Sequence, residues 1–309
     1  MQCLPTNTFF EFRPDTLEDV RKEFNLHHPG AMEELVKNFE EWVQKQPHFT
    51  KKDFTKHYLE VSIILSKGSL ETAKQKLDRL CTMKTLIPRF FSKHNVAEII
   101  DLSLHMLMPK PTEDNYRIYL IKVLSTDIDN HMWTEYYRTL MLMCEYRKAN
   151  DYTKGFSAVI DVRNINVLNF TMKISLLDMR DLFAIVLNGY GLRVKALHFI
   201  SDSKSVDALV SVFKQIFSEK IGKRIHVHKT LDSLYQYENK DLLPKDYGGK
   251  EKTSSEIYED LFNVLSSEEN VEYFKDICNS RTNEAFRHIS TYNNDILGMP
   301  GSFRSLTVD

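Results

Sequence analysis

The sequence predicts an α/β protein in three parts: a helical N-terminal bundle, a domain on a mainly parallel sheet, and a helical C-terminal tail. Three observations predict it. Apolar residues recur at helical spacing through roughly the first hundred positions. Between about 110 and 230, short β-branched or aromatic runs alternate with helical patterns, as strand–helix–strand units do. From about 250 the helical spacing returns. The length of 309 residues suits about two domains, and the expected divisions are 1–95, 96–250 and 251–309.

The elements follow in order. A first helix is expected over Leu17–Phe24, after the cap candidates Asp15 and Thr16. In Met32–Val43, the residues Met32, Leu35, Val36, Phe39 and Val43 share one face. Leu59–Leu65 and Leu70–Leu80 come next, parted by Lys67-Gly68-Ser69, with Ser69 as N-cap. Tyr116–Leu124 reads as a strand, Met132–Cys144 as a helix and Gly155–Val162 as a nearly continuous apolar strand. Phe170–Leu187 reads as two helices or one broken helix, and Val194–Ile200 as a strand. Ser205–Ser218 is helical with a full amphipathic face: Val206, Leu209, Val210, Phe213, Ile216 and Phe217. Arg224–His228 is a short strand, and Ser254–Leu265 and Glu268–Cys278 are the closing helices.

Composition excludes several classes. With 42% apolar residues, 19 Phe and 14 Tyr, the chain can bury a core and is not disordered. A net charge of -2, from 41 basic and 43 acidic residues, argues against a nucleic-acid binder. The four cysteines, Cys3, Cys81, Cys144 and Cys278, show no CxxC spacing, so they read as separate thiols in a reducing compartment. The N-terminus lacks a basic stretch followed by an apolar one, so no signal peptide is expected. The longest uncharged apolar stretch, Leu182–Leu192, is about half the roughly 20 residues a membrane span needs. A cytoplasmic protein follows as the expectation.

Catalytic signatures are scarce. There is no GxGxxG after a strand, no GxxxxGK[ST], no GxSxG and no HExxH. His226-x-His228 puts two imidazoles on one face of a strand, but no third metal ligand stands out, and hydrogen-bonded histidines are the plainer reading. Cys144 sits in the apolar run Met141-Leu142-Met143-Cys144, which fits an inert buried thiol. The chain is not expected to be an enzyme, and no cofactor or metal is expected.

Two basic pairs bracket the amphipathic helix. Arg193 and Lys195 flank Val194 on one face of an extended segment; Lys220 and Arg224 lie one turn apart if the helix continues. They are either a solvated basic rim or a pocket for an anionic head group. Gly248-Gly249, after Tyr247, supplies a positive-φ turn or a close backbone approach.

As a set, these residues resemble a known family. The order runs Asp161-Val162, then Arg193-Val194-Lys195-Ala196-Leu197-His198-Phe199-Ile200, then Phe213-Lys214. It continues through Ser218-Glu219-Lys220-Ile221-Gly222-Lys223-Arg224-Ile225-His226-Val227-His228 to Leu243-Pro244-x-x-Tyr247-Gly248-Gly249. The pattern resembles the CRAL-TRIO family of lipid-binding proteins, in its alpha-tocopherol transfer and retinaldehyde-binding branch. The ending Gly301-Ser302-Phe303-Arg304-Ser305-Leu306 is similar to the tails of arthropod members. Departures from the family pattern are Ile63-Ile64-Leu65-Ser66-Lys67, where only Lys67 keeps a charge, Asp161-Val162-Arg163-Asn164, and Tyr190-Gly191.

The resemblance implies a sheet flooring an apolar pocket, with Ser205–Phe217 as a mobile gate. By position, the implied floor and wall are Phe156, Ala158, Ile160, Ile174, Leu182, Ile185, Val186, Leu192 and Leu197. The gate adds Leu209, Val212 and Phe213, and Tyr137 and Cys144 complete the set. The resemblance also implies a phosphoinositide-binding cleft carried by Arg193, Lys195, Lys220 and Arg224. The expected function is binding and transfer of a small hydrophobic ligand, such as a tocopherol, retinoid or carotenoid, between membranes. The partners would be that ligand and an anionic membrane surface; the protein would be a monomer, transient on membranes, without nucleic acid. The alternative is a non-transporting interaction module on the same fold.

Overall fold

The computed structural model describes residues 4–5, 9–92 and 101–287. The arthropod-like tail segment lies outside them.

Four helices open the chain: α1 (Thr16–Glu23), α2 (Ala31–Gln44), α3 (Lys56–Leu65) and α4 (Leu70–Leu86). The helix starts follow capping chemistry. The Thr55 hydroxyl accepts from the Tyr58 N–H, and Ser69 accepts from Thr72 N–H at 3.2 Å, as the sequence led one to expect. Met32, Val36, Phe39 and Val43 form the buried face of α2, while Leu35 stays at its margin.

The sheet has five strands in the order β1 (Ser103–Pro111), β2 (Arg117–Val123), β3 (Phe156–Asp161), β4 (Val194–Ile200) and β5 (Ile225–His228). Sequence reasoning did not foresee β1. Its run SLHMLMPKP holds two prolines and helix-favouring Leu and Met. It succeeds as an edge strand, antiparallel to β2, where proline is tolerated. All other pairs are parallel, so each needs a crossover. The crossovers are α5 (Asn130–Asn150), then α6 (Val167–Met172) with α7 (Leu176–Ala184), then α8 (Val206–Ile216) with α9 (Glu219–Gly222). Because strand order equals chain order, right-handed crossovers place all of them on one face of the sheet.

The other face is covered by α10 (Leu231–Leu234), α11 (Ser254–Leu265) and the segment between them. Buried polar pairs fasten that segment. Ser157 donates to Glu238 at 2.5 Å, and the Tyr247 hydroxyl donates to Asp161 at 2.6 Å. The glycine pair serves both anticipated purposes: Gly248 has φ +76°, and a Cβ on Gly249 would lie 1.9 Å from the Leu243 carbonyl oxygen. Helix α12 (Glu268–Ile277) follows α11.

Buried ion pairs join the N-terminal helices to the rest. Lys84 of α4 bonds Glu145 of α5 at 2.5 Å, the Ile277 carbonyl at 3.0 Å and Ser280 at 2.9 Å. The Tyr190 hydroxyl donates to the same Glu145 at 2.8 Å. No described helix is long and apolar enough to cross a membrane.

Candidate functional site

The face that carries the crossover helices bears a cavity lined mostly by apolar side chains. Its floor follows from strand register. Leu107, Tyr119, Ala158 and Leu197 form one cross-strand row, and Ile121, Ile160 and Phe199 form the next. Side chains two apart on a strand share a face, so both rows point into the cavity. Ala158 is the only small residue in them.

Helix α5 supplies one wall through Trp133, Tyr136, Leu140, Met143, Cys144 and Arg147. Helices α6 and α7, with the loop between them, add Phe170, Ile174, Met179, Leu182 and Phe183. The roof is α8, whose Leu209 and Phe213 face inward. Phe213 packs edge-on to Phe199 at 5.1 Å and to Phe183 at 5.8 Å. The outer face of α8 carries Asp207, Ser211, Lys214 and Gln215, all exposed.

Of the positions implied by the family resemblance, Phe156, Ala158, Ile160, Ile174, Leu182, Val186, Leu192, Leu197, Leu209, Phe213 and Cys144 line this cavity. Three do not. Ile185 is fully buried at the start of a single π turn, Ile185–Gly189, that packs against α4; its neighbour Val186 points inward instead. Val212 is rotated about 100° from Phe213 around α8 and sits half-buried on the flank. Tyr137 is displaced by Tyr136. Its ring stacks on Trp133 at 5.6 Å and meets Phe90 at 5.2 Å, away from the cavity. The missed wall residues had a readable signal, since Trp133, Tyr136, Leu140, Met143 and Arg147 recur at helical spacing. Tyr119 and Leu107 needed the strand register.

The one thiol among the cavity's described lining residues is Cys144. Burial pushes the Cys144 thiol up to about 12. His226 and His228 lie on the opposite face of the sheet. There His198 joins them, the third imidazole that the sequence did not reveal. His198 Nδ1 is 2.9 Å from His228 Nε2, and its Nε2 is 3.3 Å from Glu238. Burial, with the His198 and His226 rings alongside, holds His228 down at about 4. No group of three such side chains among the described residues is arranged to hold a metal ion.

The basic residues gather at the N-terminal end of β4. Arg193 lies 3.6 Å from Glu23, and Lys195 pairs with Asp114 at 2.9 Å. Arg193, Lys195 and Lys154 all approach the Tyr116 ring, at 6.0, 5.5 and 5.3 Å. Arg224 donates to the Val194 carbonyl, which brings it to the same strand. Lys220 is exposed. It does not continue α8, which ends at Ile216 before an extended Phe217; Lys220 sits on the separate short turn of α9. Lys76 was not anticipated. It reaches this cleft from α4, where a Cβ on Gly191 would touch its side chain at 2.9 Å. Burial first, then the Arg193 and Lys67 charges, hold its ammonium down at about 8.

The site is thus an apolar cavity over a mainly parallel sheet, roofed by an amphipathic helix beside a cationic cleft. Residues 103–249 match the family model of the CRAL/TRIO domain. Residues 28–99 match the Pinta-like UBA domain. The mouse protein "Alpha-tocopherol transfer protein-like" is 26% identical over 154 residues, covering 48% of this chain and 43% of that protein. This chain therefore matches less than half the length of that relative. Mouse "Clavesin-2" is 24% identical over 257 residues, 76% of this chain and 74% of that protein. A solved structure titled "Crystal structure of Sfh5" superposes with a TM-score of 0.49 at 15% identity, over 87% of this chain and 99% of that one.

Proposed function

We propose that this protein binds one lipophilic small molecule in the cavity and carries it between membranes. The observation that carries the reading is the cavity itself, walled by aliphatic and aromatic side chains and closed by a helix with an apolar inner face. Such a wall selects by shape and size. Burial of about 450 Å² of a lipophile contributes about 11 kcal/mol at about 25 cal/mol/Å², before binding costs.

In this reading α8 is the gate. Around it, α6 and α7 expose Leu168, Met172, Leu176 and Leu177, with Met172 69% and Leu177 68% accessible. An apolar patch beside a cavity mouth suits insertion into a membrane surface. Arg193, Lys195, Lys220 and Arg224, with Lys67, Lys76 and Lys154, form the docking cleft for a phosphoinositide head group. Opening of α8 then turns Leu209 and Phe213 towards lipid and releases the cargo. The units are 1–95 as a helical support, 96–250 as the binding domain and 251–309 as a brace. The protein works as a cytoplasmic monomer, peripheral on membranes, without catalysis and without nucleic acid. An interaction module without cargo would suit a filled cavity, and the open one favours transport.

The test is transfer of a fluorescent lipophile from neutral donor vesicles to acceptors with or without phosphoinositide. Faster transfer to the phosphoinositide acceptors is expected. Transfer no faster than without protein would sink the proposal.

A further inference from the structure

Among its described lining residues the cavity is apolar except at the β1–β2 end and at Arg147. On the floor face, Leu107 pairs with Tyr119 and His105 with Ile121, so His105 and Tyr119 are diagonal neighbours. His105 Nδ1 lies 2.5 Å from the Tyr119 hydroxyl, and its Nε2 lies 2.9 Å from the Ser103 hydroxyl. Ser103 and His105 are fully buried, while Tyr119 lines the cavity. Tyr136 closes over this end, its ring 4.9 Å from His105 and edge-on to it. The Tyr136 hydroxyl has no hydrogen bond among the described residues. Trp133, 5.5 Å from Tyr136, keeps its indole N–H buried without a partner.

A phenylalanine at 119 would wall the cavity equally well, and a buried serine–histidine pair behind an apolar wall has no packing use. A neutral imidazole donates from one nitrogen and accepts at the other. When Nδ1 accepts the tyrosine proton, Nε2–H donates to Ser103 and the Tyr119 oxygen is left to accept. When Nδ1–H donates instead, Ser103 donates to Nε2 and the Tyr119 proton is left to donate. The chain can therefore meet either a hydroxyl or a carbonyl. It offers no charge, and the one cationic group on the cavity wall among the described residues, Arg147, is already bonded to Asp151, Thr153 and the Gly155 carbonyl.

Resting on the lipid-binding reading, we propose that Ser103–His105–Tyr119 is a polar subsite and that the cargo carries one uncharged oxygen, a hydroxyl or a carbonyl, at the end seated there. Cargo class is thereby narrowed to lipophilic alcohols, phenols, aldehydes and ketones, and excludes plain hydrocarbons and carboxylates.

The experiment is equilibrium binding of one conjugated C18 tetraene ending in a primary alcohol, an aldehyde, a carboxylate or a methyl group. The wild type should bind the alcohol and aldehyde about tenfold more tightly than the methyl-ended hydrocarbon. Tyr119→Phe should erase that preference and leave hydrocarbon affinity unchanged, with an unchanged melting temperature as the check on folding. Should that variant fail to fold, the wild-type ranking decides alone. Equal wild-type affinity for the alcohol and the hydrocarbon overturns the subsite while leaving lipid binding intact. Tightest binding of the carboxylate also overturns it and moves the anchor to Arg147. Binding of none of the four overturns the lipid-binding reading, and the subsite with it.

Discussion

Ala158→Phe is the sharpest perturbation of the cavity. Ala158 sits mid-floor between Tyr119 and Leu197, and its side chain points into the cavity. A phenylalanine ring buries about 150–250 Å². At position 158 it would displace about 200 Å² of cargo contact, or about 5 kcal/mol at about 25 cal/mol/Å². Partial accommodation of a shifted ligand reduces this, so the expected loss is at least about a hundredfold in Kd, or about 2.7 kcal/mol. A ring forced into a filled core would cost about 1–3 kcal/mol of stability. Here it enters open space, so the melting temperature should stay within about 4 °C of wild type. The assay is titration with a fluorescent lipophile beside a thermal melt. Unchanged affinity with an unchanged melt would refute the reasoning, because the cargo would then sit elsewhere.

Three further outcomes are expected. Charge removal at Arg193, Lys220 and Arg224 together should weaken binding to phosphoinositide vesicles by about 3 kcal/mol, at about 1 kcal/mol per cation near an anionic surface. Cargo affinity should hold, and flotation beside lipid titration reads both. The Lys76 ammonium, held down at about 8, gives that docking a pH dependence. A bound anion favours its charged form, so affinity is full below pH 8 and falls as pH rises above it; Lys76→Met should flatten the profile in the same flotation assay. Lys84→Met leaves Glu145 buried without its 2.5 Å cation and should cost about 3 kcal/mol in urea unfolding, with the helical N-terminus and the 277–280 segment loosening first in hydrogen exchange.

The helices and the parallel strands were legible because their signals are local. Val194–Ile200 carries five apolar residues, Val194, Ala196, Leu197, Phe199 and Ile200, and Ser69 caps α4 through a contact three residues away. The floor positions Phe156, Ala158 and Ile160 were implied by the family resemblance, and strand alternation puts the three on one face. Other features depend on partners distant in sequence. Strand β1 is stabilised by pairing with β2, not by its own composition. His105 and Tyr119 meet only through that pairing, so no spacing along the chain announces them. Lys76 joins the cleft by reaching from α4 to Gly191, in the loop before β4. The choice of Tyr137 over Tyr136 was an error of phase, about 100° around α5, that the Trp133–Tyr136–Leu140–Met143 stripe would have prevented.

The central claim is that the cavity holds a lipophile in the working protein. It is tested most directly by mass spectrometry of an organic extract from protein purified without detergent from its native tissue, set against native mass spectrometry of the intact protein. The account predicts one lipophilic species at one per chain, released when Ala158 is replaced by phenylalanine. A chain of apo mass that also takes up nothing from a panel of labelled lipids would contradict it, and would leave the fold as an interaction module.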